Sequence, residues 1–388
     1  MIIGVAKEIK TEEYRVGLLP GQAGILKRKG HGIMVESGAG HMAGFTDSMY
    51  MEKGAEIVSR EKLYKYADMI LKVKCPLESE YGNFRNGQIL FTFLHFDENI
   101  SAENIEKIIS RKVTAIAYEW VIEKGESVLL KPMSEITGVL FALQSMKILM
   151  EKKGKLPVGF IKDIPDPSAL ITGMGRIGTN ALRVFLANGI HVTVIEKDTG
   201  NIEKNAFRYI DRDLWKITEK NRKIIPFDTV NPSNTIEEIS RLLPTCDIVL
   251  NCAVRSEDMP KSRMEYLINR RMLASMKKGS ILCDATACDR DMIETSVSSE
   301  RLQESYEFDG IIHYSCDHIP SLVPNTSSAM LSAGTFPYVE ILADLGFENA
   351  VRQKKPLHAA VMCHKGRLTH RLTADKKKMN WTRLESIL

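Results

Sequence analysis

The sequence predicts an α/β chain folded as two doubly wound domains, the first of them discontinuous. Three observations predict it. Short apolar runs alternate with helical patterns through the first 130 residues, the rhythm of βαβ units and a parallel sheet. A second series of the same kind begins after the Pro- and Asp-rich loop Ile164-Pro-Asp-Pro-Ser168. The segments beyond it, Ser327–Leu345 and Leu357–Leu372, are too short for a core of their own and are expected to complete the first domain. The expected division is 1–132 with 320–388, and 133–319.

Taken in order, the apolar runs Met1–Val5, His31–Glu36, Met69–Val73, Ile89–Leu94 and Thr114–Tyr118 read as strands, and Pro20–Arg28 as a helix. Ser134 follows Pro132-Met133 and opens a run with Ile136, Val139, Leu140, Leu143 and Met146 at three-and-four spacing that ends at Gly154. That pattern predicts one long helix with Ser134 as its N-cap and a glycine stop. Ala169–Thr172, His191–Ile195, Asp247–Asn251, Ser280–Cys283 and Ile311–Cys316 read as the second strand series, and polar Glu203–Lys223 as a surface insertion.

Gly173-Met174-Gly175-Arg176-Ile177-Gly178 is a GxGxxG sequence between a predicted strand and the helical run Thr179–Asn188. In a Rossmann-like turn these glycines allow the tight bend, the approach of a pyrophosphate, and close helix packing. The helix N-terminus then faces the phosphates. The next strand ends in Glu196, 18 residues past Gly178, where a carboxylate meets ribose hydroxyls. A lone GxGxxG is a weak signal, but strand, glycines, helix, strand and acid in that order are a strong one. Glu196 would repel a 2′-phosphate, so NAD is expected rather than NADP, even with Lys197 beside it.

Composition excludes other classes. The 388 residues carry 53 Lys and Arg against 49 Asp and Glu, a net charge of +4, and the basic runs Lys27-Arg28-Lys29 and Lys376-Lys377-Lys378 are short, so no nucleic acid is expected. Seven cysteines, odd in number and never spaced as CxxC, suggest neither a disulfide framework nor a zinc site; no metal is predicted and a reducing cytoplasm fits. No apolar stretch approaches the length of a membrane span, and the N-terminal apolar run is too short for a signal peptide. GxSxG, HExxH, P-loop and kinase signatures are missing.

Hydride transfer remains. Acting on a carbonyl or imine, it needs a cation for a carboxylate and a proton donor at the reacting carbon. Arg15, Lys74 and His95 lie at predicted strand or loop ends of the first domain, where parallel sheets place their sites. Each has an ordinary alternative: a surface ion pair, a solvated strand end, a capping histidine. Lys74 and His95 close two successive apolar runs, however, so in a parallel sheet both can project into one cleft.

At this point a family resemblance becomes visible. Met1-Ile-Ile-Gly-Val-Ala-Lys-Glu-Ile-Lys10, Tyr14-Arg-Val16, Lys72-Val-Lys-Cys-Pro76, Ile89-Leu-Phe-Thr-Phe-Leu-His95, Tyr118-Glu119, Pro132-Met-Ser-Glu135, Ser275-Met-Lys-Lys-Gly279, Thr335-Phe-Pro-Tyr338 and His364-Lys-Gly-Arg-Leu368 resemble alanine dehydrogenases and, more broadly, the transhydrogenase α-subunit group. The resemblance implies a discontinuous catalytic domain around a Rossmann NAD domain, with Arg15 and Lys74 binding substrate and His95 as acid–base. It also implies that Ser134 and the loop at Ala253-Val254 lie against the cofactor, and that the protein is a homo-oligomer. Two stretches depart from the family. Where alanine dehydrogenases carry a catalytic aspartate before Gln-Gly-Gly, in register with Asp284 and Glu294, this chain has Cys288 followed by Asp289. Asn-Met-Pro is replaced by His318-Ile319-Pro320, and the stretch beginning at Asp317 is similar to the Asp-His-Leu-Pro-Ser-Leu of saccharopine dehydrogenases. These loops are the possible substrate and nicotinamide contacts.

The expected function is an NAD-dependent oxidoreductase acting on the C–N bond of an L-amino acid, its partners small molecules only: a 2-oxo acid and ammonia. An opine- or saccharopine-type enzyme, with a second amino acid as the amine, is the alternative. A nucleotide-binding module without turnover is a third, which the pairing of Lys74 with His95 argues against.

Overall fold

The computed structural model describes residues 1–98 and 100–388. The chain forms two compact units, residues 1–133 with 321–388, and residues 134–320. In the first, strands β1 (Ile2–Val5), β2 (Gly32–Glu36), β3 (Glu56–Val58), β4 (Met69–Leu71), β5 (Ile89–Thr92) and β6 (Thr114–Ala117) pair in parallel in the order β3-β2-β1-β4-β5-β6. A short antiparallel hairpin, β7 (Ile122–Glu123) and β8 (Glu126–Ser127), follows.

The second unit repeats the order. β9 (Ser168–Thr172), β10 (His191–Glu196), β11 (Arg222–Pro226), β12 (Ile248–Asn251), β13 (Ile281–Asp284), β14 (Tyr306–Phe308) and β15 (Ile311–Tyr314) form a sheet ordered β11-β10-β9-β12-β13-β15-β14, parallel except for β14. The chain then returns to the first sheet, where β16 (Val361–His364) pairs antiparallel with β6, and β17 (Arg367–Leu368) with β16. Both parallel sheets thus have the doubly wound order 3-2-1-4-5-6. Every residue of β4, β5, β6, β12 and β13 is buried, which is why these strands read as unbroken apolar runs instead of alternating ones. Two apolar clusters fill the layers: Leu63, Tyr64, Phe84, Leu90, Phe96, Ile105 and Met362 in the first unit, Leu170, Val249, Ile268, Leu273 and Leu282 in the second.

Three sequence expectations are corrected. The long helix runs Leu130–Lys153, so Ser134 lies inside it and is not its N-cap. Pro132 lay behind that expectation, but a proline in the first turn lacks only an N–H that has no partner in the helix. Strands β4 and β5 end at Leu71 and Thr92, short of the expected Val73 and Leu94: beyond them the Lys72 amide still donates to the Phe91 carbonyl (3.3 Å) and the Phe93 amide to the Val73 carbonyl (3.2 Å), but the amides of Val73, Lys74, Leu94 and His95 turn to buried carboxylates. Residues 203–223 are not merely a surface insertion: they include the helix Arg212–Ile217 with buried Trp215, and they lead into β11, which pairs with β10. Polar composition hid an edge strand, which needs only one buried neighbour.

Candidate active site

The glycine-rich turn of the second unit lies between β9 and the helix Arg176–Ala187. Gly173 has φ +85, and a Cβ there would stand 3.0 Å from the Ala253 amide nitrogen. A Cβ at Gly178 would come within 1.9 Å of the Gly173 carbonyl oxygen, so the fold itself demands glycine at both places. Gly175, just before the helix, is different. A Cβ there meets no atom within 4 Å, which leaves open backbone at the helix N-terminus of the kind a pyrophosphate requires. Arg176 and Ile177 occupy the first helical turn. Glu196 ends β10, and its carboxylate accepts the Met174 amide and, at 2.8 Å, the Asp198 amide. A cavity of 260 Å³ opens beside these groups, lined by Gly173, Gly175, Glu196, Ala253, Val254 and Phe227 among others. Lys197 is engaged with Asp258 at 2.7 Å, and Arg255 with Asp291 at 2.7 Å. These residues fit a dinucleotide.

Ser134 lies one turn before Gly138 on the same helix face, and a Cβ at Gly138 would stand 2.1 Å from the Ile177 carbonyl oxygen. The long helix is therefore pressed against the start of the helix after the glycine turn, which brings Ser134 to that end. Gly138 is the sequence signal for this contact, one that helical periodicity does not reveal. Three strand ends are tied together next to the turn. Thr172 Oγ1 donates to Asn251 Oδ1 at 2.6 Å, and Asn251 Nδ2 donates to Asp284 Oδ1 at 2.9 Å. Burial pushes the Asp284 pKa up.

In the first unit, Lys74 and His95 each follow adjacent strands, three residues beyond β4 and β5. Thr92 Oγ1 donates to the Lys74 carbonyl at 3.0 Å, and Lys74 acts electrostatically on the His95 imidazole. The segment after β1 runs alongside: a Cβ at Gly17 would stand 3.5 Å from the Lys72 carbonyl. Arg15, on that segment, is 3 % exposed, donating through Nε and Nη2 to the two oxygens of Glu13 at 2.7 and 2.5 Å, with Nη1 3.3 Å from Met133 Sδ.

Buried glutamates surround all three residues. Glu8 accepts the amides of Val73 (2.6 Å) and Lys74 (3.3 Å), Glu13 accepts the Arg15 amide (3.1 Å), and Glu119 accepts the amides of Leu94 (3.2 Å) and His95 (2.6 Å). Buried Lys72 bridges Glu8 at 3.1 Å and Glu80 at 2.9 Å. Burial raises the Glu8 pKa, partly offset by Lys72. Burial disfavours the imidazolium of His95, but the Glu119 charge and the hydrogen bond to Glu98 (3.1 Å from Nδ1) outweigh it, and the His95 pKa is raised. Burial pushes the Cys75 thiol up, so it stays protonated.

The second unit holds the two divergent loops. Ala287 and Arg290 have positive φ, and between them the Cys288 thiol donates to the Thr286 carbonyl at 3.5 Å. Asp289 is exposed, its carboxylate accepting the Ser298 amide at 2.7 Å. His318 is fully buried, with Nδ1 2.8 Å from Asp317 Oδ1 and 3.4 Å from Cys316 Sγ. The ligating atoms of Cys316, Asp317 and His318 all lie within 4.8 Å of one another, a donor set that a search for spaced cysteine pairs does not find.

Two sheets of the same winding order, one with a glycine turn and an acidic strand end and the other with Lys74 and His95 beyond two adjacent strand ends, define a dinucleotide-binding α/β protein with ionisable groups at a second sheet edge. The chain belongs to the alanine dehydrogenase/PNT family, residues 4–137 matching its N-terminal domain and residues 140–371 its C-terminal domain. It is 31% identical over 394 residues to alanine dehydrogenase 2 of Staphylococcus aureus strains Mu50 and N315, covering 100% of both chains. A solved L-alanine dehydrogenase matches with a TM-score of 0.82 and 27% identity, covering 97% of this chain and 99% of the other. The Sinorhizobium meliloti transhydrogenase structure, at 20% identity and a TM-score of 0.73 over 96% of this chain and 99% of that one, shares the fold. No helix among the described residues is long and apolar enough to cross a membrane.

Proposed function

We infer that this chain is an NAD-dependent oxidoreductase acting on the C–N bond of an L-amino acid, reductively aminating a 2-oxo acid and catalysing the reverse deamination. Full-length similarity to alanine dehydrogenases supports the class. The single observation that carries the chemistry is the position of Lys74 and His95 beyond the ends of two adjacent parallel strands. Bound NAD(H) supplies or removes the hydride. Arg15 and Lys74 bind the substrate carboxylate and oxygen as cations. His95 moves the proton, and its raised pKa keeps an acid available for protonating substrate in the reductive direction. Open backbone at Gly175 and the carboxylate of Glu196 support NAD as the cofactor, on the pyrophosphate and ribose respectively.

One observation favours a second reading. At the position where the family's aspartate is expected stands Cys288, and the neighbouring Asp289 carboxylate is exposed and tied to the Ser298 amide. Without that fixed charge, an amino acid in place of ammonia becomes the amine, and the product is a secondary amine of the opine or saccharopine type. An NADH-depletion screen of 2-oxo acids crossed with ammonia and free amino acids tests both. Efficient turnover of pyruvate with ammonia, with no gain from any amino acid, removes the second reading. No NADH oxidation in any cell removes the first as well.

A further inference from the structure

Three glutamates in the first unit share one habit. Glu8, Glu13 and Glu119 are each buried, and each accepts the backbone amide of one of Lys74, Arg15 and His95. Two of them reach across from a neighbouring strand. Glu8 follows β1 and takes the amides beyond the end of β4, and Glu119, in the turn Tyr118–Trp120 after β6, takes those beyond β5. A β-sheet would normally satisfy these N–H groups with carbonyls. Here the chain is pulled out of the ladder onto carboxylates.

Glu119 is the case the observations carry furthest. His95 has φ +50, a left-handed conformation disfavoured for any residue with a Cβ. It persists only if the surroundings impose it, and the 2.6 Å bond from the His95 amide to Glu119 does so. The Glu119 carboxylate accepts two backbone amides, those of Leu94 and His95. Burial raises the Glu119 pKa, and the His95 charge together with the Leu94 and His95 amides opposes that rise, so the carboxylate and the imidazole favour each other's charged forms. We propose that Glu119 is a positioning residue for His95, holding its backbone in the left-handed turn and facing its ring with a buried negative charge. The proposal rests on the reading of His95 as the acid–base group.

The other charged groups acting on the ring are Glu98 on the same loop, bonded to Nδ1, and Lys74 from the end of β4, which opposes them. Lys376 approaches from the C-terminal helix but pairs with Asp97 at 3.2 Å and bears on Glu98. Removing only the Glu119 charge should therefore leave Glu98 in place and shift the balance toward Lys74, so that the imidazole loses its proton at lower pH.

Glu119→Gln makes that change with one oxygen kept where it can accept both amides. The expected result is a kcat for 2-oxo acid reduction about tenfold lower, with the KM for NADH unchanged and the pH profile of kcat/KM displaced to acid by about one unit. NMR titration of the His95 ring reads the same acid displacement without any turnover, so it decides the proposal even if no substrate is found. Glu119→Asp keeps the charge but shortens the reach; it should hold the wild-type pH profile while kcat falls, and it serves as the test if Glu119→Gln does not fold. A ring titration or rate profile of Glu119→Gln that overlays wild type, or wild-type kcat in Glu119→Asp, overturns the proposal. Failure of wild type to oxidise NADH with any substrate, together with a normal displacement by NMR, instead overturns the functional reading alone.

Discussion

Gly175 and Gly178 stand three residues apart in one turn, yet the structure gives them different reasons to be glycine, and alanine at each separates the two. A Cβ at Gly178 would lie 1.9 Å from the Gly173 carbonyl oxygen, a backbone atom that cannot swing aside. Overpacking of this kind costs about 1–3 kcal/mol. Alanine's better helix propensity returns about 1 kcal/mol, and with a backbone clash at the top of the range the net loss is about 2 kcal/mol. For a domain of this size that lowers Tm by about 4–8 °C. Gly175 has φ −71 and ψ −161, which alanine adopts freely, and its Cβ would meet nothing within 4 Å. Gly175→Ala should therefore change stability by no more than about 0.5 kcal/mol. The methyl would, however, occupy the space a pyrophosphate needs, so the Kd for NADH should rise about tenfold or more, some 1.4 kcal/mol. Differential scanning fluorimetry gives the first quantity and NADH fluorescence titration the second. Equal Tm losses in both variants, or wild-type NADH affinity in Gly175→Ala, would refute this division of roles.

His95→Ala should lose about 10²-fold or more in rate while still binding NADH, by steady-state kinetics and fluorescence titration. Lys74→Ala and Arg15→Ala should act chiefly through KM for the carboxylate substrate; wild-type turnover in any of the three would remove that residue from the mechanism. Glu196 should make NADPH the poorer cofactor by about 1 kcal/mol or more, so a kcat/KM with NADPH equal to that with NADH would disprove its place at the ribose. Lys72→Met should cost about 3–5 kcal/mol in urea unfolding at neutral pH, because it leaves Glu8 and Glu80 buried against each other without their cation. Its deficit should shrink as pH falls. Burial raises the Glu8 pKa above its unfolded value, so the folded state binds the proton more readily and gains stability as the carboxylate is neutralised.

Much of the fold is legible in the sequence because its determinants are local. Strands buried on both faces read as unbroken apolar runs, as in β4, β5 and β12. Gly173, Gly175 and Gly178 mark the strand–turn–helix by their spacing, and Glu196 follows at the next strand end. The two-domain, doubly wound α/β class follows from such signals together with resemblance, whereas the strand order within each sheet does not. Edge elements do not announce themselves in this way. β11 and β14 are short and partly exposed, so no apolar run betrays them. The start of the long helix was misplaced because Pro132 looks like a barrier until one sees that it sits in the first turn. At the candidate site the sequence itself singled out Arg15, Lys74 and His95 as residue types at run ends, and proposed their roles. It gave no role to Glu8, Glu13 or Glu119, since no periodicity connects residue 8 with residue 74, or residue 119 with residue 95. Those pairings exist only after neighbouring strands are laid side by side, and burial makes them matter: a carboxylate ordinary at a surface becomes, inside the sheet edge, the acceptor that turns a backbone and the charge that holds a proton.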